Sequence, residues 1–269
     1  MVSEILKVPP GSKFMLSKRD PADRTALPED KADRNALTAQ LGAKLNGLQD
    51  RFAAEKKTKL LLVLQGMDTS GKDGTVKAVF DSVNPLGIRV APFKAPTERE
   101  LAHDYLWRVH AEVPQKGEIV IFNRSHYEDV LITSVHGWID ADEVARRLAH
   151  INDFERLLTE TGTVIVKCML HISKDEQAKR LEQRRTDPVK QYKFNVGDLE
   201  ERKYWDKYMS AYEAAIRATS TEHAPWYIIP ANSNSTRNAY VAQLLADTLE
   251  AINPQYPKPT QDLSKLVVI

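Results

Sequence analysis

A single cysteine, Cys168, is all the thiol chemistry that this chain of 269 residues carries, so no internal disulfide framework holds it together. Cys168 lies in the apolar run 163–170, where a small buried thiol is the expectation rather than a nucleophile. Net charge is almost absent as well. The chain has 38 Lys and Arg against 37 Asp and Glu, a formal +1. Bulk charge therefore points to neither nucleic acid nor membrane as a partner, and any electrostatic specialisation has to be local. No apolar run of the chain approaches the roughly 20 residues that cross a bilayer. The first seventeen residues hold two prolines and no apolar stretch of the leader type, so a reducing cytoplasm is the expected location. Internal repeats, low-complexity blocks and Gly/Ser linkers are missing too, and one domain is the economical reading.

What is present suits a globular protein with a sizeable core: 42% of residues are hydrophobic and 28% charged. Residues 1–34, rich in proline and charge, read as an arm without a core. Leu37, Leu41, Leu45, Leu48 and Phe52 then recur at helical spacing. The run Leu60 to Leu64 is too short for a helix and apolar throughout, the pattern of a parallel strand buried on both faces. Similar runs at 88–91, 118–122, 163–170 and 226–229 alternate with helical patterns at 72–83, 98–113, 141–161, 174–185, 199–218 and 236–252. This alternation predicts an α/β fold, a three-layer sandwich with a five-stranded parallel sheet and helices on both faces. The domain is expected over 35–254, followed by a tail at 255–269.

Directly after the first strand comes Gly66-Met-Asp-Thr-Ser-Gly71-Lys72-Asp73-Gly74-Thr75, opening a helix. The spacing Gly66-x4-Gly71-Lys72, between a strand and a helix, fits a phosphate-binding loop and makes the fold P-loop kinase-like. Glycines let the backbone wrap an anion, successive N–H groups point inward, and the helix N-terminus adds partial positive charge. Lys72 supplies a full charge. The alternative is a chance match in a tight turn. In place of the usual Ser/Thr after the lysine stands Asp73, which removes the hydroxyl that normally holds magnesium. Asp68 inside the loop offers a hard oxygen instead, with a turn-stabilising role as its alternative.

The strand at 118–122 ends in Asn123-Arg124-Ser125-His126-Tyr127-Glu128-Asp129. Ligands of open α/β sheets bind at strand carboxyl ends, so Arg124 is placed to meet phosphate. Asn123 is neutral where an acid often orients magnesium, and His126 reads as a structural hydrogen bond rather than a base. Between 179 and 193 six cations, among them Arg180, Arg184 and Lys193, face only Glu182 and Asp187. Arg180 and Arg184 share one helical face. Cationic helices of this kind form lids over phosphates, here expected at about 174–206. The alternative is a solvated charged face. The loop and the basic lid are similar to those of thymidylate kinase, and no guanine-reading Asn-Lys-x-Asp sequence is present.

The loop, the segment 123–129, Asp198-Leu-x5-Trp205-Asp-x-Tyr208, and Ala224-Pro-Trp226 followed by Ile228-Ile-Pro-Ala-Asn232 together resemble the polyphosphate kinase 2 family. Asp104-Tyr-Leu-Trp107-Arg108 with Tyr127-Glu-Asp129 resembles its class III subgroup, which accepts nucleoside mono- and diphosphates. The resemblance implies a polyphosphate:nucleotide phosphotransferase that uses magnesium, or manganese in its place. It implies inorganic polyphosphate and adenine or guanine nucleotides as partners, and a homo-oligomer, dimer or tetramer. Asp68, Lys72 and Arg124 would be catalytic, with Asp68 on the metal. Thr69, Ser70, Gly71, Lys72, Asp73, Gly74, Arg124, Arg180, Arg184 and Lys193 would hold polyphosphate. Lys94, Pro96, Trp107, Arg108, Asn123, Tyr127, Glu128 and Asp129 would meet the nucleotide. Elsewhere in the family the position of Asn123 is an aspartate that helps bind magnesium. Phe93, Trp107 and Tyr127 fit base stacking and the core equally well. The rival readings are an ATP-dependent nucleoside monophosphate kinase and a nucleotide- or polyphosphate-binding regulator without turnover.

Overall fold

The computed structural model describes residues 2–263, so the end of the expected tail, 264–269, lies outside the described residues. Six strands form one sheet: β1 (Lys7–Val8), β2 (Lys59–Gln65), β3 (Ile88–Pro92), β4 (Ile119–Asn123), β5 (Thr163–His171) and β6 (Trp226–Pro230), in the order β1-β6-β5-β2-β4-β3. The helices are α1 (Val2–Leu6), α2 (Lys31–Glu55), α3 (Lys72–Val79), α4 (Glu98–Leu101), α5 (Trp107–His110) and α6 (Glu128–Val135). They continue with α7 (Ala141–Glu160), α8 (Lys174–Thr186), α9 (Val196–Arg202), α10 (Trp205–Thr219) and α11 (Asn234–Ile252).

The five expected strands are present and mutually parallel. In β2 every residue from Leu60 to Leu64 is fully buried, because neighbours on either side and helices on both faces leave no route to water. Successive side chains alternate between faces. Leu61 and Val63 join a core with α6, α7 and α10, while Leu60, Leu62 and Leu64 join a second core with α2, α3 and α11. The register pairs Leu64 with both Asn123 and Cys168, so β2 and β4 end within one residue of each other and β5 runs two residues further, to His171. Side-chain caps start the long helices: Asp30 accepts from Ala32 N, Asp140 from Glu143 N and Ser173 from Glu176 N.

Four expectations need correction. The sheet has a sixth strand, because Lys7 and Val8 pair antiparallel with Tyr227 and Trp226. Two residues are too short for any periodicity to announce. The first thirty residues are not without a core: Leu6, Val8, Phe14 and Leu16 are buried, and Ser220 Oγ donates to Val8 O at 2.6 Å. Finally, the helical pattern at 98–113 is two short helices. Asp104 accepts the Leu106 N–H through its side chain at 2.9 Å, offering the backbone a turn in place of helix. The pattern at 199–218 likewise divides into α9 and α10 around Lys203 and Tyr204.

A fully buried polar group links the two sides of one core. Glu155 accepts from Lys167 Nζ at 2.5 Å and from the Tyr127 hydroxyl at 2.8 Å, with His126 Nε2 at 3.2 Å. Burial is the largest influence and would raise the Glu155 carboxyl, but the charges and hydrogen bonds of Lys167 and His126 together outweigh it and the net direction is downward. Burial holds the Lys167 ammonium below the ordinary lysine range and raises the thiol of Cys168.

The role of the first thirty residues has a direct test. Phe14 is buried against the α10 side of the core, so Phe14→Ala is expected to lower the unfolding free energy by about 3–5 kcal/mol. Denaturant unfolding followed by circular dichroism checks this, and a loss under about 1 kcal/mol would mean the segment is not part of the cooperative unit.

Candidate active site

The chain leaves β2 at Gln65 and turns through Gly66-Met-Asp-Thr-Ser-Gly71 before α3 begins at Lys72. Two glycines make the turn sterically allowed. Gly66 has φ of 150°, and a Cβ there would stand 2.7 Å from Leu170 O. Gly71 caps α3 in the left-handed region with φ of 104°. Thr69 adopts φ of 64° without being glycine, a strained conformation held by its surroundings. The hydroxyls of Thr69 and Ser70 are buried and lack partners among the described residues. Buried donors without partners are rare in native proteins, and here they line or underlie a loop built to wrap an anion.

Lys72 folds back over this loop, donating from Nζ to Gly66 O at 2.7 Å. Burial and the neighbouring Arg124 charge lower its pKa, while Asp68, Glu128 and Asp73 pull the other way. Arg124, also in the left-handed region with φ of 64°, follows β4 and donates from its backbone to Leu64 O at 3.1 Å. Its Nη2 meets Asp68 Oδ1 at 2.6 Å. Asn123 donates to Asp73 Oδ1 at 2.6 Å, so the two residues that depart from the usual pattern pair with each other. Glu128, at the start of α6, is raised by burial against the pull of Arg124 and Lys72.

These elements enclose two neighbouring clefts. The first, of about 630 Å³, is lined by Asp68, Thr69, Gly71, Lys72, Asp73 and Gly74 of the loop, by Lys94, Asn123 and Arg124, and by Arg184, Tyr192, Lys193, Asn195 and Asp198. The second, of about 560 Å³, is lined by Pro96, Arg108, Glu128 and Asp129 together with apolar side chains including Leu101, Ile132, Trp138 and Ile139. The clefts share Phe93, Lys94, Ala95 and Arg124. A larger groove of about 750 Å³ between α6, α7 and α10 shares no residue with the loop and gathers none of its cations.

Most of the expected site residues thus converge, and four sit elsewhere than expected. Tyr127 is fully buried in the group with Glu155 and Lys167, out of reach of either cleft. Trp107 is half-exposed, lines neither cleft and stacks on His103 with ring centroids 4.0 Å apart. Ser70 is buried beneath the loop instead of facing the cleft. Arg180 turns its guanidinium to backbone, donating to Thr69 O at 3.0 Å and to Ala231 O at 2.6 Å, with Glu176 on its Nε. It braces the loop from α8. Phe93 lines both clefts.

Gln177 and Arg237 had no signal in the sequence. Gln177, buried on α8, donates to Asp68 O at 3.1 Å and fixes the backbone of that loop acid. Arg237 on α11 also reaches the loop, donating to Thr75 Oγ1 at 2.6 Å and to Ser70 O at 3.2 Å. Asp198, singled out only as part of a block, lines the first cleft and pairs with Arg184 at 3.3 Å. Burial and the Asp68 charge push its carboxyl up to about 6, against Arg184, Arg124 and Lys72.

A mostly parallel sheet with a glycine-rich loop after its central strand and a lysine opening the following helix is the frame of a P-loop phosphotransferase. The family model of polyphosphate kinase 2 matches residues 28–257. An AMP/ADP-polyphosphate phosphotransferase from Meiothermus ruber is 52% identical over 262 residues, which is 97% of this chain and 98% of the relative. An ADP-polyphosphate phosphotransferase from Rhodopseudomonas palustris is 41% identical, covering 86% of this chain and 84% of its own. The crystal structure of polyphosphate kinase 2 from Arthrobacter aurescens matches with a TM-score of 0.95 at 49% identity, over 98% of this chain and 94% of that one. The chain belongs to the polyphosphate kinase 2 family.

The carboxyl of Asp198 yields a test with a definite sign. Its folded pKa of about 6 lies above the ordinary 3.8, so the folded chain holds that proton more tightly than the unfolded chain. The ionised form therefore costs stability that is absent below about pH 4 and present in full above about pH 6. Asp198→Asn is expected to raise the unfolding free energy at pH 7.5, with the gain fading as pH falls to 4. Denaturant titrations at the two pH values check it, and an equal effect at both would refute the assignment.

Proposed function

We propose that the chain transfers the terminal phosphoryl group of inorganic polyphosphate to AMP and ADP, with polyphosphate in the loop cleft and the nucleotide in the neighbouring one. The observation that carries this reading is the pair of clefts joined at Lys94 and Arg124. One is ringed by Lys72, Lys94, Arg124, Arg184 and Lys193, five cations suited to a polyanion without a base or sugar. The other combines apolar walls with Arg108 and Arg147, a setting for a nucleoside and its phosphate. The names of the two relatives, AMP/ADP- and ADP-polyphosphate phosphotransferase, support the same donor and acceptors.

The chemistry follows from charge. The attacking oxygen of a nucleotide phosphate is already anionic, so no strong base is needed, and the barrier is repulsion between two polyanions. Lys72 and the N-terminus of α3 stabilise the donor phosphate, and Arg124, at the junction of the clefts, spans the transferring group. Arg184 and Lys193, on the segment proposed as a lid at 174–206, hold the chain and limit water.

Asp68 fits a divalent cation. Its Oδ1 is taken by Arg124, and its Oδ2 has no hydrogen-bond partner among the described residues. Those residues contain no cluster of three His, Cys, Asp or Glu arranged for a metal. That suits magnesium, which binds through one or two carboxylates plus substrate phosphates and keeps several waters. When bound, the ion would neutralise phosphate charge beside Asp68.

Purified protein with magnesium, long-chain polyphosphate and AMP or ADP should form ADP and ATP, and ATP with AMP should not substitute for polyphosphate. Product only from ATP would make this an ordinary nucleotide kinase. Lys72→Ala should lower kcat by about 100- to 1,000-fold, the scale seen when one preorganised donor is removed, while the melting temperature stays within a few degrees. Near-normal turnover in a folded variant would defeat the assignment of the loop.

A further inference from the structure

Beneath the phosphate-binding loop lies Arg237, a residue of α11 that is only 2% exposed and ranks among the largest fully buried side chains. Its Nε donates to Thr75 Oγ1 at 2.6 Å, and its Nη1 to Asn234 Oδ1 at 2.7 Å and Ser70 O at 3.2 Å. Nη2 donates to Asn238 Oδ1 at 2.9 Å. All four acceptors are neutral. Four neighbouring arginines are matched to acids: Arg124 to Asp68, Arg180 to Glu176, Arg108 to Asp129 and Arg184 to Asp198. Arg237 forms no ion pair among the described residues, and the charge that acts on it is the like charge of Arg180. Burial first, and Arg180 second, depress its pKa to about 9.

The loop is shaped around this side chain. A Cβ on Gly71 would stand 2.0 Å from Nη1, and one on Gly74 would stand 3.2 Å from Nη2. The two glycines therefore serve the guanidinium on one side as well as the cleft on the other. Ser70 O accepts from Arg237 at 3.2 Å and from Arg180 at 3.3 Å. A planar trans peptide points its N–H opposite its C=O. Drawing the Ser70 carbonyl back towards two guanidiniums thus turns the Gly71 N–H the other way, and Gly71 lines the cleft.

We propose that Arg237 is a positioning residue for the phosphate donor. It fixes the Ser70–Gly71 peptide with its N–H towards the polyanion, and it supplies from below an unpaired positive charge that the bound phosphate chain neutralises. The inference rests on the polyphosphate reading of the loop cleft. An unpaired cation in a buried site is unfavourable until an anion arrives. A purely structural arginine would contribute equally with and without ligand.

The test compares wild type with Arg237→Met, which keeps bulk and removes charge, and Arg237→Lys, which keeps charge and removes the fork. Sodium tripolyphosphate is the probe, read by its effect on melting temperature and by direct calorimetry. The KM values for polyphosphate and for ADP are measured alongside. In Arg237→Met, tripolyphosphate affinity should fall roughly 10- to 100-fold, the scale of a lost charged hydrogen-bonding partner. The ligand-induced melting shift should shrink with it, and the KM for ADP should change less than about twofold on that same scale. Arg237→Lys should lie between, and it decides the matter if Arg237→Met does not fold. Wild-type affinity and melting shift in a folded variant would overturn the inference while leaving the polyphosphate reading intact. A wild type that neither binds tripolyphosphate nor uses polyphosphate would overturn both.

Discussion

Like charges held close together around the loop between β2 and α3 are the constraint on which the rest of the site depends. Lys72, Arg180 and Arg237 donate to carbonyls of the loop, and Arg124 donates to the side chain of its Asp68. Such a group repels itself, and the protein contains the repulsion in two ways. Asp68 and Glu176 neutralise part of it, while the carbonyls of Gly66, Thr69 and Ser70 accept the remaining donors. Lys72 and Arg124 line the cleft beside the loop, so part of the remaining positive charge is presented there. Preorganisation of this sort places the electrostatic work in folding, so that little rearrangement is needed when substrate binds.

The sheet makes such crowding tolerable. Because β2, β4 and β5 run parallel and in register, the loop, Arg124 and the start of α8 meet at one edge without long connections. Two apolar cores clamp the sheet from its two faces, and the buried Glu155–Lys167 pair with Tyr127 anchors the segment just beyond Arg124. That segment carries Arg124 on its exposed side and Tyr127 on its buried side, so the rigidity of the core is passed directly to a cation of the site. The strained φ values of Thr69 and Arg124 are consistent with this arrangement: strain persists only where surrounding structure over-determines the backbone.

Much of the site is legible in the order of residues along the chain. Gly66, Gly71 and Lys72 lie within seven consecutive residues, and a strand on one side of them and a helix on the other are recognisable from apolar runs. Arg124, Arg184 and Lys193 stand out by position at a strand end and by a local excess of cations, and all three line the cleft. The same reasoning misplaces Arg180, because a helical face says which residues travel together and not what they meet. Tyr127 and Trp107 fail for a related reason. An aromatic ring fits a core or a ligand equally well, and neither spacing nor composition tells the two apart.

The sequence by itself determined what depends on contacts between near neighbours: the alternation of strands and helices, the caps, the wrapping loop and its lysine. These are set by backbone sterics and by hydrogen bonds a few residues long, which leave a periodic or contiguous trace. Tertiary structure alone decided which distant side chains close the site. Arg237 meets Thr75 across 162 positions, Arg180 meets Thr69 across 111, and Arg124 meets Asp68 across 56. Those meetings follow from how α8 and α11 pack beside the sheet, and packing is a property of complementary volumes and buried partners that no linear spacing records.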